Sequence, residues 1–84
     1  MWDATNRRAT SRRRVLKGGK IIFRAGFAVI NCLVRDESPS GARLKVPSVI
    51  GVPDAFELQI ANAKPRQCHV IWRTGQELGV AFVE

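Results

Sequence analysis

Two short constellations in this chain could do chemistry. Arg8-Ala9-Thr10-Ser11-Arg12 reads R-x-x-x-R, and Asp36-Glu37-Ser38-Pro39-Ser40-Gly41 reads D-x-S-x-x-G. A guanidinium is a planar fork that pairs bidentately with phosphate oxygens and with the O6/N7 edge of guanine, and it stacks on a purine face. On an extended chain Arg8 and Arg12 stand about 13 Å apart, on the order of one dinucleotide's width. Asp36 can accept from guanine N1–H and N2–H₂, and Ser38 can donate to or accept from a base edge or a phosphate. Gly41 permits the turn and a ligand's close approach. Together these groups suit a guanine nucleotide with two phosphates. Each motif alone is weak, because D-x-S-x-x-G is also ordinary hairpin-turn chemistry. With five arginines in residues 1–14, an R-x-x-x-R arises easily. Their order gives the pair meaning: the first precedes the first strand, and the second follows the second strand.

The elements that must position them read as β. Lys20-Ile21-Ile22-Phe23 is a short first strand, and Gly18-Gly19 is a turn that separates it from a basic arm. Arg24-Ala25-Gly26 closes a hairpin. Phe27 to Arg35 is the longest β signal, with Ala28, Ile30, Cys32 and Val34 on one face and Val29, Asn31, Leu33 and Arg35 on the other. Asp36 to Ser40 is turn chemistry. Three further alternations follow, each with one apolar face: Ala42/Leu44/Val46, Phe56/Leu58/Ile60 and Leu78/Val80/Phe82. Cys68/Val70/Trp72 completes the set, with His69 and Ile71 opposite. Six short strands and no helix-period segment predict an all-β fold, a small six-stranded antiparallel barrel that closes to remove exposed edges. Residues 1–19 are expected to be a flexible basic N-terminal arm, and residues 20–84 the barrel. Gly41 and Gly79 fit places where the backbone is closely approached.

Charge narrows the partner. Residues 1–20 hold seven basic residues and one acid, a net +6; residues 21–84 hold seven basic and six acidic, a net +1. A focused positive segment attracts anions. By itself it does not choose among them, and a charge block is most often a solvated tail. No apolar run approaches the roughly 18 residues of a membrane span, and the first residues lack a signal-peptide core, so a cytoplasmic location is expected. Cys32 and Cys68 lie in apolar strand patterns and read as buried reduced thiols. Four zinc ligands cannot be assembled. No Ser-His-Asp order, paired carboxylates or P-loop occurs, which points to a binding module without catalytic activity and with no cofactor of its own.

At these residues the chain resembles the PilZ domain, the bacterial receptor module for cyclic di-GMP. Arg8 and Arg12 match the family's R-x-x-x-R arm. Asp36, Ser38 and Gly41 match its [D/N]-x-S-x-x-G turn. Val70-Ile71-Trp72-Arg73 and Leu78-Gly79-Val80-Ala81-Phe82 resemble its last two strands. The resemblance covers about residues 7–83. It implies a six-stranded barrel whose surface near Asp36 and Ser38 receives cyclic di-GMP under a wrapping arm. Arg8 and Arg12 would hold phosphates and stack on guanine; Asp36 and Ser38 would read a guanine edge. Flanking Arg7 and Arg13 predict two stacked ligand molecules, since a second dinucleotide brings more negative charge to neutralise. The implied role is regulation of a partner in motility, exopolysaccharide or biofilm control. Many family members carry a helix after the barrel, whereas this sequence stops at Glu84.

Two other readings stand beside this one. A β-barrel nucleic-acid binder would use the basic arm, but such proteins display aromatics for stacking. Here Phe23, Phe56, Trp72 and Phe82 fall on apolar faces, leaving Trp2 and Phe27 free. A structural domain would carry the motif without using it. Arg8→Ala separates the three: it abolishes cyclic di-GMP binding in the first, dents nucleic-acid affinity in the second and changes nothing in the third.

Overall fold

The computed structural model describes residues 13–83. Six strands follow one another: β1 (Arg13–Phe23), β2 (Ala28–Ser38), β3 (Gly41–Lys45), β4 (Ala55–Ile60), β5 (Arg66–Arg73) and β6 (Glu77–Phe82). All pairings are antiparallel, and they close in the order β1-β2-β3-β6-β5-β4. The expected all-β barrel is therefore the architecture. Alternation explains why these segments form strands. Phe56, Leu58 and Ile60 are buried while Ala55 and Glu57 are exposed, so a pleated strand satisfies core and solvent together. Ile21, Val34, Leu44, Leu58, Cys68 and Leu78 fill the centre. The segment 46–54 crosses one end of the barrel, plugged by buried Val46 and Val52. Arg73 ties it down by donating to the Val52 carbonyl at 2.9 Å and to Asp54 at 2.5 Å.

The first strand differs from expectation. It begins at Arg13, and Gly18-Gly19 lies inside it rather than in a turn. Packing is the reason. A Cβ on Gly19 would sit 3.1 Å from Cys32 Sγ and 3.2 Å from the Gln59 carbonyl oxygen, so the position takes glycine because the wall is crowded there. Gly18 faces Leu33 with open space around it. The barrel thus reaches at least seven residues further toward the N-terminus than the expected boundary at residue 20. Asp36 and Ser38 likewise belong to β2, and only Pro39-Ser40 form the β2–β3 turn.

The β1–β2 hairpin turns through Arg24 and Ala25, at φ 55° and 53°, closed by Gly26 N–H donating to the Phe23 carbonyl at 3.2 Å. Left-handed backbone costs an L-residue roughly 1 kcal/mol, whereas glycine adopts it freely. Ala25→Gly is therefore expected to stabilise the protein by about 0.5–1 kcal/mol, opposite to the usual effect of a new glycine. A thermal melt should rise by about 2–8 °C; a fall would show that Ala25 is not held left-handed.

Both cysteines are free and buried on the inner face. Burial pushes the Cys32 thiol up to about 11, and burial followed by the neighbouring Cys32 pushes Cys68 up to about 12, against 9.0 unperturbed. Thiols with raised folded pKa values stabilise fully below the unfolded pKa. That contribution fades as pH climbs from about 9 through 11 and 12. Two results are expected: a thiol reagent labels the protein at pH 8 only in denaturant, and the denaturation midpoint falls above pH 9. Fast labelling of the folded protein would contradict both burial and shift.

Candidate functional site

One register row crosses the outer surface and gathers the residues of interest. Arg14 on β1 pairs with Asp36 on β2, Asp36 with Arg43 on β3, Arg43 with Gly79 on β6, and Gly79 with Trp72 on β5. The next row runs through Ser38, Gly41, Ala81 and His69. Between them lies a groove of about 240 Å³, lined by Asp36, Ser38, Gly41, Arg43, Trp72 and Gly79 among others. That is smaller than the roughly 300–1,000 Å³ of pockets that enclose a small molecule. A ligand seated here extends beyond the groove, against whatever covers it.

Two bulges build the row. β2 has one more residue than β3 between the pairs Val34–Leu44 and Asp36–Arg43, and that residue is Arg35. β5 has one more than β6 between Val70–Val80 and Trp72–Gly79, and that residue is Ile71. An extra residue shifts the side-chain phase by one. Without the bulges, Asp36 would continue the core row of Cys32 and Val34, and Trp72 that of Cys68 and Val70. With them, both turn outward. The expectation that Trp72 is a core residue is thereby corrected: it is 41% exposed and walls the groove. Phe27, expected free, is 92% exposed.

Asp36 is only 6% exposed and accepts a hydrogen bond from Arg43 Nε at 2.5 Å. Arg43 Nη1 also donates to Glu77, at 3.1 and 3.3 Å to its two oxygens. The hydrogen bond to Asp36 is the main force raising the Arg43 pKa above its ordinary value; burial opposes it, and the charges of Asp36 and Glu77 add to it. Two carboxylates thus fix one guanidinium in the middle of the row. Fixing matters because a preorganised fork loses less side-chain entropy when it binds.

Ser38 has a local role as well. Its Oγ accepts from the Ser40 N–H at 3.3 Å and lies 3.4 Å from the Gly41 carbonyl oxygen, which holds the two-residue turn. The Ser40 carbonyl accepts from Phe82 N–H at 2.9 Å, tying that turn to β6. Gly41 is closely approached, as expected, and the approaching group is the Val80 backbone: an added Cβ would clash with its carbonyl. At Gly79 the approaching group is the Trp72 indole, which lies across the bare Cα. His69 is exposed on the outer face, one row from Trp72.

Of the expected site residues, the structure brings together Asp36, Ser38 and Gly41. The Arg13 backbone stands in β1 opposite Glu37. Arg7, Arg8 and Arg12 lie outside the described residues. Sequence reasoning missed Arg43 and Trp72. Their signal was faint: an arginine at an outward position of the strand after the motif, and a tryptophan opposite a strand glycine. Among the described residues, no group of His, Cys, Asp or Glu could hold a metal ion, and no helix is long and apolar enough to cross a membrane.

No curated protein matches this chain as a relative. The profile of the PilZ domain matches residues 6–84, nearly the whole length. The barrel order, the outward Asp36 and the Ser38–Gly41 turn stand where that match runs, and the chain belongs to the PilZ domain family, a family of cyclic di-GMP receptor modules.

Proposed function

We propose that this chain is a cyclic di-GMP effector domain in which the N-terminal arm closes over the groove between Asp36 and Trp72. The observation that carries this is the register of β1: its first residues, Arg13 and Arg14, stand opposite Glu37 and Asp36. Arg12 is one peptide bond further, with its Cα about 3.8 Å from that of Arg13. Arg8 is five residues away, within about 18 Å along an extended chain. Chain connectivity therefore leaves both motif arginines within reach of the groove.

The division of labour follows from charge. The described groove offers two carboxylates, Asp36 and Glu37, and one guanidinium that is already paired. It can meet a base but is poorly suited to two phosphates. Arg8 and Arg12 supply the phosphate charge, with Arg7 and Arg13 beside them for a second stacked ligand. Trp72 offers a face for a guanine ring, worth about 1–3 kcal/mol per stacked base. Asp36 and Ser38 read the guanine edge, and Asp36 also holds Arg43 in place. Ligand binding becomes a change of arm position, read by a partner protein in motility, exopolysaccharide or biofilm control. The setting is cytoplasmic and the role is binding rather than catalysis.

Calorimetric titration tests this, with GTP and a single-stranded oligonucleotide as controls. Saturable uptake of cyclic di-GMP alone supports the reading, and the stoichiometry gives one ligand or two. Uptake of the oligonucleotide without cyclic di-GMP would move the basic arm to nucleic acid.

A further inference from the structure

The N-terminal half of β1 lacks a second neighbouring strand among the described residues. β4 pairs with β1 only from Gly19 to Ile22. The last link is Ala61 N–H donating to the Gly18 carbonyl at 2.8 Å. N-terminal to it, residues 13–17 of β1 are bonded to β2 on one side. Among the described residues no strand lies on the other. Leu16, in this stretch, is 75% exposed. The open edge borders a cleft of about 350 Å³ with an apolar floor of Leu58, Ile60 and Phe82. Cations surround it. Lys17 and Lys64 line it, Arg66 lies 3.9 Å over the Phe82 ring, and Arg14 stands on the edge strand itself. Among the described residues the one acid in the lining, Glu37, is paired with Lys17 at 2.8 Å.

We propose that this edge is a docking site for an extended acidic peptide from a partner protein, which adds a strand beside β1. A strand edge offers main-chain donors and acceptors that only another extended chain satisfies, and alternate side chains of the added strand then choose the partner. Alternate residues of the incoming strand meet the apolar floor, and the intervening ones meet the cations. The charge disfavours a second copy of this chain: edge-to-edge pairing would set the cations Arg14 and Lys17 against themselves. Nucleic acid is disfavoured because, among the described residues, the only aromatic ring in the cleft, Phe82, is 8% exposed and covered by Arg66. The cleft shares only Glu37 with the lining of the Trp72 groove, and the proposal does not depend on cyclic di-GMP.

The probe is a capped octapeptide of alternating glutamate and valine, titrated into the full chain without nucleotide. Backbone amide shifts and hydrogen exchange are followed by NMR. The expected result is saturable shifts at residues 14–18 and 61–66, with slowed exchange at Leu16. Arg66→Glu with Lys64→Glu should weaken binding at least tenfold, as should N-methylation of alternate peptide amides, which removes the strand's donors but leaves its charge. Folding of the double variant is checked by an unchanged amide pattern around Leu44 and Leu78. Equal binding of a lysine–valine peptide, insensitivity to N-methylation, or shifts confined to the Trp72 groove would overturn the proposal. So would a failure to saturate, or tighter binding of oligothymidylate at the same amides.

Discussion

Arg8→Ala with Arg12→Ala is expected to cut cyclic di-GMP affinity by about 10²–10⁴-fold while leaving the thermal transition within about 2 °C of wild type. The magnitude follows from the ligand's charge and the site's composition. A hydrogen-bonded contact to a charged group contributes about 1.5–3 kcal/mol, and 1.4 kcal/mol is tenfold in affinity. Two such contacts therefore span two to four decades. The described groove cannot compensate. Its guanidinium, Arg43, is tied to Asp36 and Glu77, and those carboxylates repel a phosphate. Stability is spared because, among the described residues, every buried core residue lies between Ile21 and Phe82, beyond either substitution. Calorimetry and a melt on the same samples check both halves. Each single variant should lose about 10–100-fold, so Arg8→Ala weakens binding rather than abolishing it as the sequence alone suggests. An affinity loss under fivefold in the double variant would remove the arm from the phosphate role. A matching collapse in melting temperature would make the arginines structural.

Salt gives an independent reading of the same chemistry. Exposed charges act over a Debye length of about 10 Å at 0.1 M salt. Wild-type affinity should thus weaken as salt rises, and the double variant's residual affinity should be nearly flat. The sequence placed this weight on the arm by charge alone, because net charge needs no geometry to be read. Why β1 begins opposite Glu37 and Asp36 was not legible there. That comes from the β1–β2 register, which a sequence with Gly18-Gly19 appeared to interrupt and which the packing of Gly19 against Cys32 preserves.

The legible and illegible parts of this fold divide along one physical line. Alternation within a strand is local, so Phe56/Leu58/Ile60 and Leu78/Val80/Phe82 could be read directly, and six of them in a short chain implied closure. A bulge is a property of two strands compared. Val34 and Asp36 keep the same spacing as Cys32 and Val34, and Trp72 keeps that of Val70, so nothing within β2 or β5 announces a change of phase. The pairing partners impose it. Asp36 was singled out by its motif and lines the groove, with its strand placement missed. Trp72 has no place in either motif, and apolar periodicity therefore assigned it to the core. Both residues line the groove because each follows an inserted residue, a common means of re-aiming a side chain at the surface.

Gly79→Ala tests that geometry where it is most exposed to failure. A Cβ at Gly79 would lie inside the Trp72 indole, 2.7 Å from Cδ1 and nearer still to Nε1 and Cε2. The obstructing group is the ring itself, and at 41% exposure it can swing toward solvent. The expected stability loss is therefore near the lower end of the range for overpacking, about 1 kcal/mol, a fall of roughly 4–8 °C in a domain of this size. Ligand affinity should suffer more, about tenfold to a hundredfold, because the displaced ring no longer presents a stacking face. In a Trp2→Phe background the emission reports Trp72 alone. Gly79→Ala should shift it to longer wavelength and abolish the change that cyclic di-GMP causes in the parent. Gly18→Ala is the matched control: it also adds a methyl group to a strand glycine, but its Cβ meets nothing within 4 Å. It should leave emission and affinity unchanged. If Gly79→Ala keeps the parent's spectrum and affinity, the indole does not rest on β6 and the groove has lost its wall. If it loses affinity with the spectrum unmoved, the strand backbone at Gly79, rather than Trp72, is what the ligand touches.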